Sequence, residues 1–304
     1  MTLLVLDAAA VRSGITPAAA YAALQQRLRA DPPRPDRPLR ARYDLDGGLL
    51  LVMPDQSATY AGVKLVTVSP DNPARGLPTV QGTYVLMDAA TLEPLAVLDA
   101  AELTLVRTAA VSMLAVRALA PPEDPDVVVI GSGPQAVAHA LAARALLGPA
   151  EVRLVARTAA SADRARALAA ARGLADLRVD VGGSPAGADV VLCCTSSHVP
   201  VLASADVPDR AVVVAMGAHT PDAREVGTDL VDRSYVAVES RAAAAAESGD
   251  VRLAAAELGR EVVAAELGEV VRGEAAVPPD RPRLFVSLGE AWEDLAVASV
   301  LAPG

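Results

Sequence analysis

The sequence has few aromatic residues, few cysteines and a single lysine. Aromatic residues make up 2% of the 304 residues, and the two cysteines, Cys193 and Cys194, are adjacent. Adjacent cysteines cannot form an ordinary disulfide, and they do not have the spacing of zinc ligands. We therefore expect a protein of the reducing cytoplasm that holds no metal.

Long apolar runs and an excess of positive charge are also missing. No stretch of about 18 residues is both free of charge and apolar enough to cross a membrane. The apolar start of the chain contains Asp7 and has no basic lead, which is unlike a signal peptide. The net charge of −10 opposes binding to a phosphate backbone, so we expect neither a membrane nor a nucleic acid as a partner.

The composition is that of a large globular protein. Hydrophobic residues make up 52% of the chain and charged residues 21%, which excludes a disordered protein. A chain of this length buries about three quarters of the surface that its unfolded form exposes, so its core needs no disulfide or metal. Two domains are the natural expectation.

Lys64 is the only lysine among the 27 lysine and arginine residues. A genome rich in G and C would favour arginine codons and leave an occasional lysine by chance. Alternatively, an amine is required at this position, because a guanidinium group cannot release a proton near neutral pH. Composition alone leaves both interpretations open.

The first part of the chain is rich in β patterns. Thr16 and Pro17 have the order of a helix N-cap and first turn, which predicts a helix to about residue 29. A proline-rich connector at 31–38 precedes alternating apolar residues and turns, which predict strands over residues 39–98. A helix is predicted next, over residues 101–119.

The pattern changes after residue 126. From there to residue 240, short charge-free strands alternate with helices, which predicts a parallel α/β sheet with helical crossovers. The remaining chain predicts a helix over residues 254–268, a strand over 284–288 and a final helix from about Glu290.

A glycine turn joins the first charge-free strand to a helix. Its residues follow the pattern G-x-G-x-x-A, in which the glycines permit a tight turn and a close approach to a pyrophosphate, and the small third residue lets the helix pack on the strand. An ordinary glycine turn is the alternative. We predict a dinucleotide site at Gly131, Gly133, Pro134, Gln135 and Ala136.

The end of the next strand indicates which dinucleotide binds. NAD sites usually carry an acidic residue there, about 20 residues after the first glycine, to hold the ribose hydroxyls. This chain has Arg157 and Thr158 instead. A guanidinium group and a hydroxyl suit a 2′-phosphate, so NADPH is favoured over NADH; a solvated surface arginine is the alternative.

Several segments in a fixed order carry a resemblance to a known family. They are Gly62–Lys64, Asn72–Thr79, Leu103–Ala110, the glycine turn, Gly217–Glu225, Ser248–Asp250, Ser287–Gly289 and Glu293–Leu295. Together they resemble the ornithine cyclodeaminase/μ-crystallin family of NAD(P)-dependent proteins, over residues 40–295.

The resemblance implies a fold of the α/β class. A Rossmann NAD(P)-binding domain would cover residues 121–283. Both ends of the chain, 1–120 and 284–304, would build a mixed α/β domain that binds the substrate and forms a homodimer. The final strand and helix would thus return to the first domain.

The resemblance also implies residue roles. Arg40 and Arg107 would bind the carboxylate of an α-imino or α-amino acid, with Lys64 beside them. A partly desolvated lysine beside two arginines should have a lowered pKa, which suits proton donation. The other implied substrate residues are Met53, Thr79 and Gly289, and the other implied cofactor residues are Thr108, Thr195, Ser196, Ser197 and Met216.

His219 is a departure from the family pattern. Ornithine cyclodeaminases carry an aspartate at this position, which acts on the substrate amine. A histidine can act as an acid or base near neutral pH, but it would not pair with an ammonium group. The departure argues against ornithine as the substrate and leaves His219 as either a catalytic or a structural residue.

These observations predict an NAD(P)H-dependent imine or ketimine reductase. Its substrate would be Δ1-pyrroline-2-carboxylate or Δ1-piperideine-2-carboxylate, reduced to L-proline or L-pipecolate. The alternatives are an ornithine cyclodeaminase, an alanine-type amino-acid dehydrogenase, and a non-catalytic, NADPH-loaded binding protein of the μ-crystallin type. Three cations beside an iminium ion would disfavour that ion, and the sequence does not show which charges balance them.

Overall fold

The computed structural model describes residues 3–33, 40–149, 151–218 and 220–303. The chain forms two compact units, one from Met1–Val111 with Gly289–Gly304 and the other from Ser112–Leu288. Both ends of the chain therefore belong to the first unit. The roles that the sequence assigned to the two predicted domains stay predictions.

Consecutive strands dominate the chain up to residue 99, and strands and helices alternate over much of the rest. Up to the glycine turn the elements are β1 (Leu4–Leu6), α1 (Ala8–Gly14), α2 (Pro17–Ala30), β2 (Ala41–Leu45), β3 (Gly48–Gln56), β4 (Tyr60–Val68), β5 (Val80–Asp88), β6 (Pro94–Asp99), α3 (Ala100–Ala118) and β7 (Asp126–Ile130). Beyond it they are α4 (Pro134–Leu147), β8 (Glu151–Ala156), α5 (Ala159–Ala171), β9 (Arg178–Val181), β10 (Val190–Cys193), β11 (Val212–Ala215), α6 (Thr228–Arg233), β12 (Tyr235–Val238), α7 (Arg241–Glu247), α8 (Gly249–Leu258), β13 (Val263–Glu266), α9 (Leu267–Val271), β14 (Arg283–Val286) and α10 (Ala291–Ala298).

The first unit contains a six-stranded sheet in the order β1-β6-β5-β4-β3-β2. Its strands are antiparallel except for the parallel pair of β1 and β6. Met53, Lys64, Tyr84 and Leu98 lie directly opposite one another on four neighbouring strands and are all buried. We call the face that carries them the inner face. Helix α10 packs against β3 and β4.

The first residues of helix α10 stabilise its N-terminus. Glu290 is the N-cap, and the Glu293 side chain accepts from the Glu290 backbone N–H in a capping box. Glu293 and Asp294 lie in the first turn, where negative charge is favoured by the helix dipole. Trp292 and Leu295 of the same helix are buried.

The second unit contains an eight-stranded parallel sheet in the order β13-β12-β14-β11-β10-β7-β8-β9. Strand β8 lies on one side of β7 and is followed by β9, whereas β10, the next strand along the chain, lies on the other side of β7. Such a change of direction creates a crevice at the carboxyl ends of β7 and β10, where α/β proteins bind ligands. The parallel α/β sheet predicted from the alternation of strands and helices is therefore confirmed.

Strand β14 is a correction to the sequence prediction. It lies between β11 and β12 of the eight-stranded sheet, so its expected return to the first domain is wrong. Its residues Leu284, Phe285 and Val286 are buried, which is typical of a central parallel strand covered on both faces. The part of the chain that rejoins the first unit begins at Gly289.

The helix predicted over residues 254–268 is also wrong. Helix α8 ends at Leu258 because Gly259 adopts a left-handed conformation with φ of 66° and caps it. The chain then forms β13, which pairs with β12, and the short helix α9. In the predicted connector at 31–38, residues 34–38 lie outside the described residues.

No helix within the described ranges is long and apolar enough to cross a bilayer. The cytoplasmic location inferred from the cysteine content stays a prediction.

Candidate active site

Lys64 is buried at the centre of the inner face. It lies on β4 and is 2% exposed, with Met53 opposite on β3 and Tyr84 opposite on β5. Burial of an amine costs free energy unless the charge is paired. A lysine left by chance would be expected at the surface, so this location favours a required amine.

Two carboxylates balance the cations around Lys64. The Lys64 Nζ lies 2.9 Å from Oδ1 and 2.8 Å from Oδ2 of Asp294. The Arg107 Nε donates to the same Oδ1 at 3.1 Å, and its Nη1 donates to Glu293 Oε2 at 2.7 Å. All four side chains are buried, and their formal charges sum to zero. The carboxylates of α10 therefore balance Lys64 and Arg107, two of the three cations whose balance the sequence left open.

Burial changes the acidity of the Lys64 amine. The pKa of the amine is lowered from 10.5 to about 8 overall, with desolvation as the largest cause and the Arg107 charge acting in the same direction. Asp294 and Glu293 oppose this effect and keep the amine largely protonated at neutral pH. An amine with a pKa this close to neutrality is suited to donating a proton.

Gly289 lies between two arginines of this site. Its carbonyl oxygen accepts from Arg40 Nη2 at 3.2 Å. Its φ is +73°, and a Cβ at this position would lie 2.4 Å from Arg107 Nη1. A side chain is therefore excluded by both the backbone conformation and the packed guanidinium group. The structure thus brings together Arg40, Met53, Lys64, Arg107 and Gly289, and their role in binding a substrate stays a prediction.

The two predicted threonines of the first unit differ in their surroundings. Thr79 is half-buried just before β5, and its carbonyl oxygen accepts from the Ser69 N–H at 2.8 Å. Thr108 follows Arg107 in α3 and is 3% exposed. Its hydroxyl has no hydrogen-bond partner among the described residues. A buried hydroxyl without a partner is consistent with a missing ligand at Thr108.

The glycine turn of the second unit has the form that a dinucleotide requires. Gly131 has φ of +143°, and a Cβ there would lie 2.4 Å from the Cys194 carbonyl oxygen. Gly133 is the N-cap of α4, and a Cβ there would meet no described atom within 4 Å. Pro134 is the first helical residue, Gln135 follows it, and Ala136 is fully buried against the sheet. The open space at Gly133 and the start of a 14-residue helix therefore fit a pyrophosphate.

Glu225 joins the loops that follow two neighbouring strands, β10 and β11. Its Oε1 accepts from the backbone N–H and the hydroxyl of Thr195, which follows β10. Its Oε2 accepts from the N–H groups of Met216 and Gly217, which follow β11. The carboxyl group is fully buried, and desolvation raises its pKa to about 7 although the hydrogen bonds act in the opposite direction. Glu225 therefore shapes the two loops in which cofactor residues are predicted.

The other predicted residues of these loops are more exposed. Ser196 is exposed, and the Ser197 hydroxyl donates to the Val199 carbonyl at 2.6 Å, which closes a turn. The Thr195 hydroxyl is occupied by Glu225. Ser196 thus has the side chain nearest to solvent, whereas Ser197 and Thr195 also shape the loop itself.

Arg157 and Thr158 follow β8. The Thr158 side chain is occupied in capping a helix, whereas that of Arg157 is exposed. Arg157 is exposed and forms no ion pair within the ranges that the structure describes. The Thr158 hydroxyl accepts from the Ser161 N–H at 3.2 Å and caps α5. The helix cap explains Thr158 without a nucleotide, so Arg157 is the stronger candidate for a 2′-phosphate.

Sequence reasoning missed the three carboxylates that organise the two sites. All three lie in segments that carry the family resemblance: Glu293, Asp294 and Glu225. Membership in these segments was the feature of the sequence that could have identified them. Nothing in the spacing of charges shows that they are buried. His219, the proposed acid or base, lies outside the described residues.

The fold and the two sites define a nucleotide-binding α/β protein of the oxidoreductase type. The chain belongs to the ornithine cyclodeaminase/mu-crystallin family, whose family model matches residues 4–302.

Similar proteins include reductases of imino acids. The chain is 38% identical over 252 residues to Delta(1)-pyrroline-2-carboxylate reductase 2 of Burkholderia ambifaria, covering 82% of this chain and 78% of the relative. It is 36% identical over 258 residues to the ketimine reductase mu-crystallin of Rattus norvegicus, covering 84% and 80% of the two chains. An archaeal alanine dehydrogenase, solved as a dimer with bound NAD, superposes with a TM-score of 0.86 at 27% identity, covering 99% of this chain and 95% of the other.

Proposed function

We propose that this protein is an NAD(P)H-dependent reductase of small α-imino acids, with Δ1-pyrroline-2-carboxylate or Δ1-piperideine-2-carboxylate as substrate and L-proline or L-pipecolate as product. The observation that carries the proposal is the buried amine of Lys64, which is paired with Asp294 beside the guanidinium group of Arg107. The relatives named as reductases of such imines support the same assignment.

The side chains of the first unit account for substrate binding and protonation. Arg40 and Arg107 bind the substrate carboxylate, because guanidinium groups match its two oxygens. Asp294 and Glu293 hold the plane of Arg107 in place. A bound NAD(P)H supplies the hydride that reduces the C=N bond. Lys64 donates its proton to the imine nitrogen, which makes the imine carbon a better hydride acceptor.

The second unit supplies the nucleotide site. The glycine turn and the start of α4 bind the pyrophosphate, and Thr195, Ser196, Ser197 and Met216 lie in the loops that would contact the nicotinamide end. Thr108 of the first unit stays a predicted cofactor residue, and its buried hydroxyl lacks a partner among the described residues. The exposed guanidinium group of Arg157 favours NADPH over NADH.

The first unit also supports a homodimer. The face of its sheet opposite the inner face is apolar: Val5, Val97, Val85 and Val63 lie opposite one another on four neighbouring strands. Val5 is 71% exposed, and Leu65 on the same face is 39% exposed. A large exposed apolar surface indicates an association site. A second copy is the proposed occupant, because the archaeal alanine dehydrogenase of similar fold was solved as a dimer. Sedimentation should show a dimer that Leu65→Glu dissociates.

The assay that tests the function measures NADPH consumption by its ultraviolet absorbance. Δ1-Pyrroline-2-carboxylate and Δ1-piperideine-2-carboxylate should each cause turnover that Lys64→Ala abolishes. Pyruvate with ammonia is the parallel reaction for an alanine-type dehydrogenase. The reaction for a cyclodeaminase is ornithine without added reductant, and it is followed by the formation of proline because it consumes no net NADPH. Turnover only in one of these parallel reactions contradicts the imine assignment. Absence of turnover in all of them, with NADPH still raising the melting temperature, indicates a binding protein.

A further inference from the structure

Asp294 is placed between the two buried cations of the first unit. Its carboxylate contacts Lys64 Nζ with both oxygens and shares Oδ1 with Arg107 Nε. Asp294 is itself fully buried. It does not need to touch the substrate in order to affect the reaction, since it can act through the amine that it holds.

We propose that Asp294 is a positioning residue that keeps Lys64 protonated and thereby sets the pH range in which this amine can donate a proton. The consequence for catalysis rests on the proposed function, but the effect on the ionisation of Lys64 does not. Removal of the Asp294 charge should leave a neutral amine in the range where wild-type Lys64 is charged.

The groups that face Lys64 show why Asp294 has this effect. From α10, Asp294 and Glu293 raise the pKa of the amine; from α3, Arg107 lowers it. The Thr104 hydroxyl of α3 lies 3.4 Å from Nζ. From β5, Tyr84 is neutral, because burial raises the pKa of its phenol well above the usual value. Desolvation is the largest of all the effects on Lys64 and lowers its pKa. Without Asp294, therefore, Glu293 is the one carboxylate among the described residues that still opposes burial and Arg107.

Glu293, the residue before Asp294, provides a matched control for the effect of Asp294 on Lys64. It is as buried as Asp294, lies in the same helical turn and also bonds Arg107. Its carboxylate accepts from Arg107 Nη1 and from the Glu290 N–H, whereas the carboxylate paired with Lys64 is that of Asp294. A role in packing α10 or in holding Arg107 would make the two carboxylates equivalent, whereas a role in the ionisation of Lys64 would not.

The single lysine makes the ionisation directly measurable. Protein labelled with carbon-13 at the lysine ε position gives one side-chain resonance, whose shift with pH reports the pKa of Lys64 in the folded chain. We expect a midpoint of about 8 in the wild type. Asp294→Asn should lower it by about one unit or more, and Glu293→Gln should lower it by clearly less. Equal midpoints in the wild type and Asp294→Asn overturn the proposal, as do equal shifts in the two variants.

A second measurement applies if Asp294→Asn does not fold. Lys64→Met leaves a buried carboxylate without its closest cation, which lowers the melting temperature. The double variant Lys64→Met/Asp294→Asn removes both charges and should melt above Lys64→Met. A double variant that melts lower than Lys64→Met contradicts the pairing, since the two losses would then add.

Activity measurements separate the proposal from the proposed function. If the wild type reduces the imino acids, the decline of kcat/KM at alkaline pH should begin at a lower pH in Asp294→Asn than in Glu293→Gln. If the wild type reduces neither imine while the resonance still shifts as expected, the proposed function fails and the assignment of Asp294 stands.

Discussion

The two units bury carboxylates for different purposes. In the first unit, Asp294 and Glu293 pair with the side-chain cations Lys64 and Arg107. In the second unit, Glu225 accepts from three backbone N–H groups and one threonine hydroxyl. The first arrangement adjusts the charge of a reactive group, and the second fixes the path of the backbone.

This difference indicates whether a carboxylate controls the pKa of a neighbouring group or the stability of the fold. A carboxylate paired with a lysine shifts the pKa of that lysine, so its effect is seen in the dependence of activity on pH. A carboxylate that satisfies buried backbone donors affects stability, because each unsatisfied donor costs free energy. Variants of the two units should therefore have different consequences.

The largest expected effect is that of Lys64→Ala on catalysis. Loss of a positioned proton donor should lower the rate of imine reduction by about 10²–10⁴-fold. The second unit is unchanged, so the affinity for NADPH, measured by nucleotide fluorescence, should stay close to that of the wild type. A variant that reduces the imine at the wild-type rate would remove Lys64 from the mechanism.

Glu225→Ala should affect the stability of the fold rather than proton transfer. It leaves the N–H groups of Thr195, Met216 and Gly217 without their acceptor and should lower the free energy of unfolding by about 3 kcal/mol. Denaturant unfolding measures this loss. The exposed Glu261→Ala is the matched control, with an expected change within about 0.5 kcal/mol. Similar losses in both variants would contradict a role for Glu225 in joining the loops.

The pH dependence should follow Lys64 and differ between the two directions of reaction. Because the Lys64 pKa is lowered to about 8, the protonated fraction falls about tenfold per pH unit above that value. The kcat/KM for imine reduction should fall with it, whereas oxidation of L-proline, which needs Lys64 in its neutral form to accept a proton, should rise with pH through this range. The ionisation of the imine itself, measured by absorbance in the same buffers, is the control. A reduction rate that stays constant through this range would contradict proton donation by Lys64.

The smallest of these effects concerns the choice of nucleotide. Arg157→Ala should raise the KM for NADPH about tenfold and leave the KM for NADH nearly unchanged, because a charge-assisted hydrogen bond to a 2′-phosphate is lost. Arg164, an exposed arginine on α5, supplies the control variant Arg164→Ala. An equal effect on both nucleotides would show that Arg157 does not read the 2′-phosphate.

Much of the second unit was predictable from local patterns. The glycine turn at Gly131 and the alternation of apolar strands with helices predicted a parallel sheet, and the structure confirms it. Strand β14 was assigned to the wrong sheet, because the composition of a four-residue strand does not indicate which strands it pairs with. The helix predicted over 254–268 was wrong because Gly259 ends α8 and tertiary pairing with β12 turns the next residues into a strand.

The site of the first unit was predictable only in part. The rarity of lysine drew attention to Lys64, and the family resemblance added Arg40, Arg107 and Gly289. The counter-charges were not predictable, since the chain has 37 acidic residues and spacing does not show which of them are buried.

By itself the sequence determined the local features of this protein: the turn at Gly131 and Gly133, the start of α10 at Glu290 and the strand that carries Lys64. Such features depend on residues that are neighbours in the chain. Only the tertiary structure decided that Asp294 lies against Lys64, 230 positions away, and that Glu225 joins the ends of two strands. The physical reason is that burial makes an unpaired charge or donor costly, and folding decides which groups are buried together.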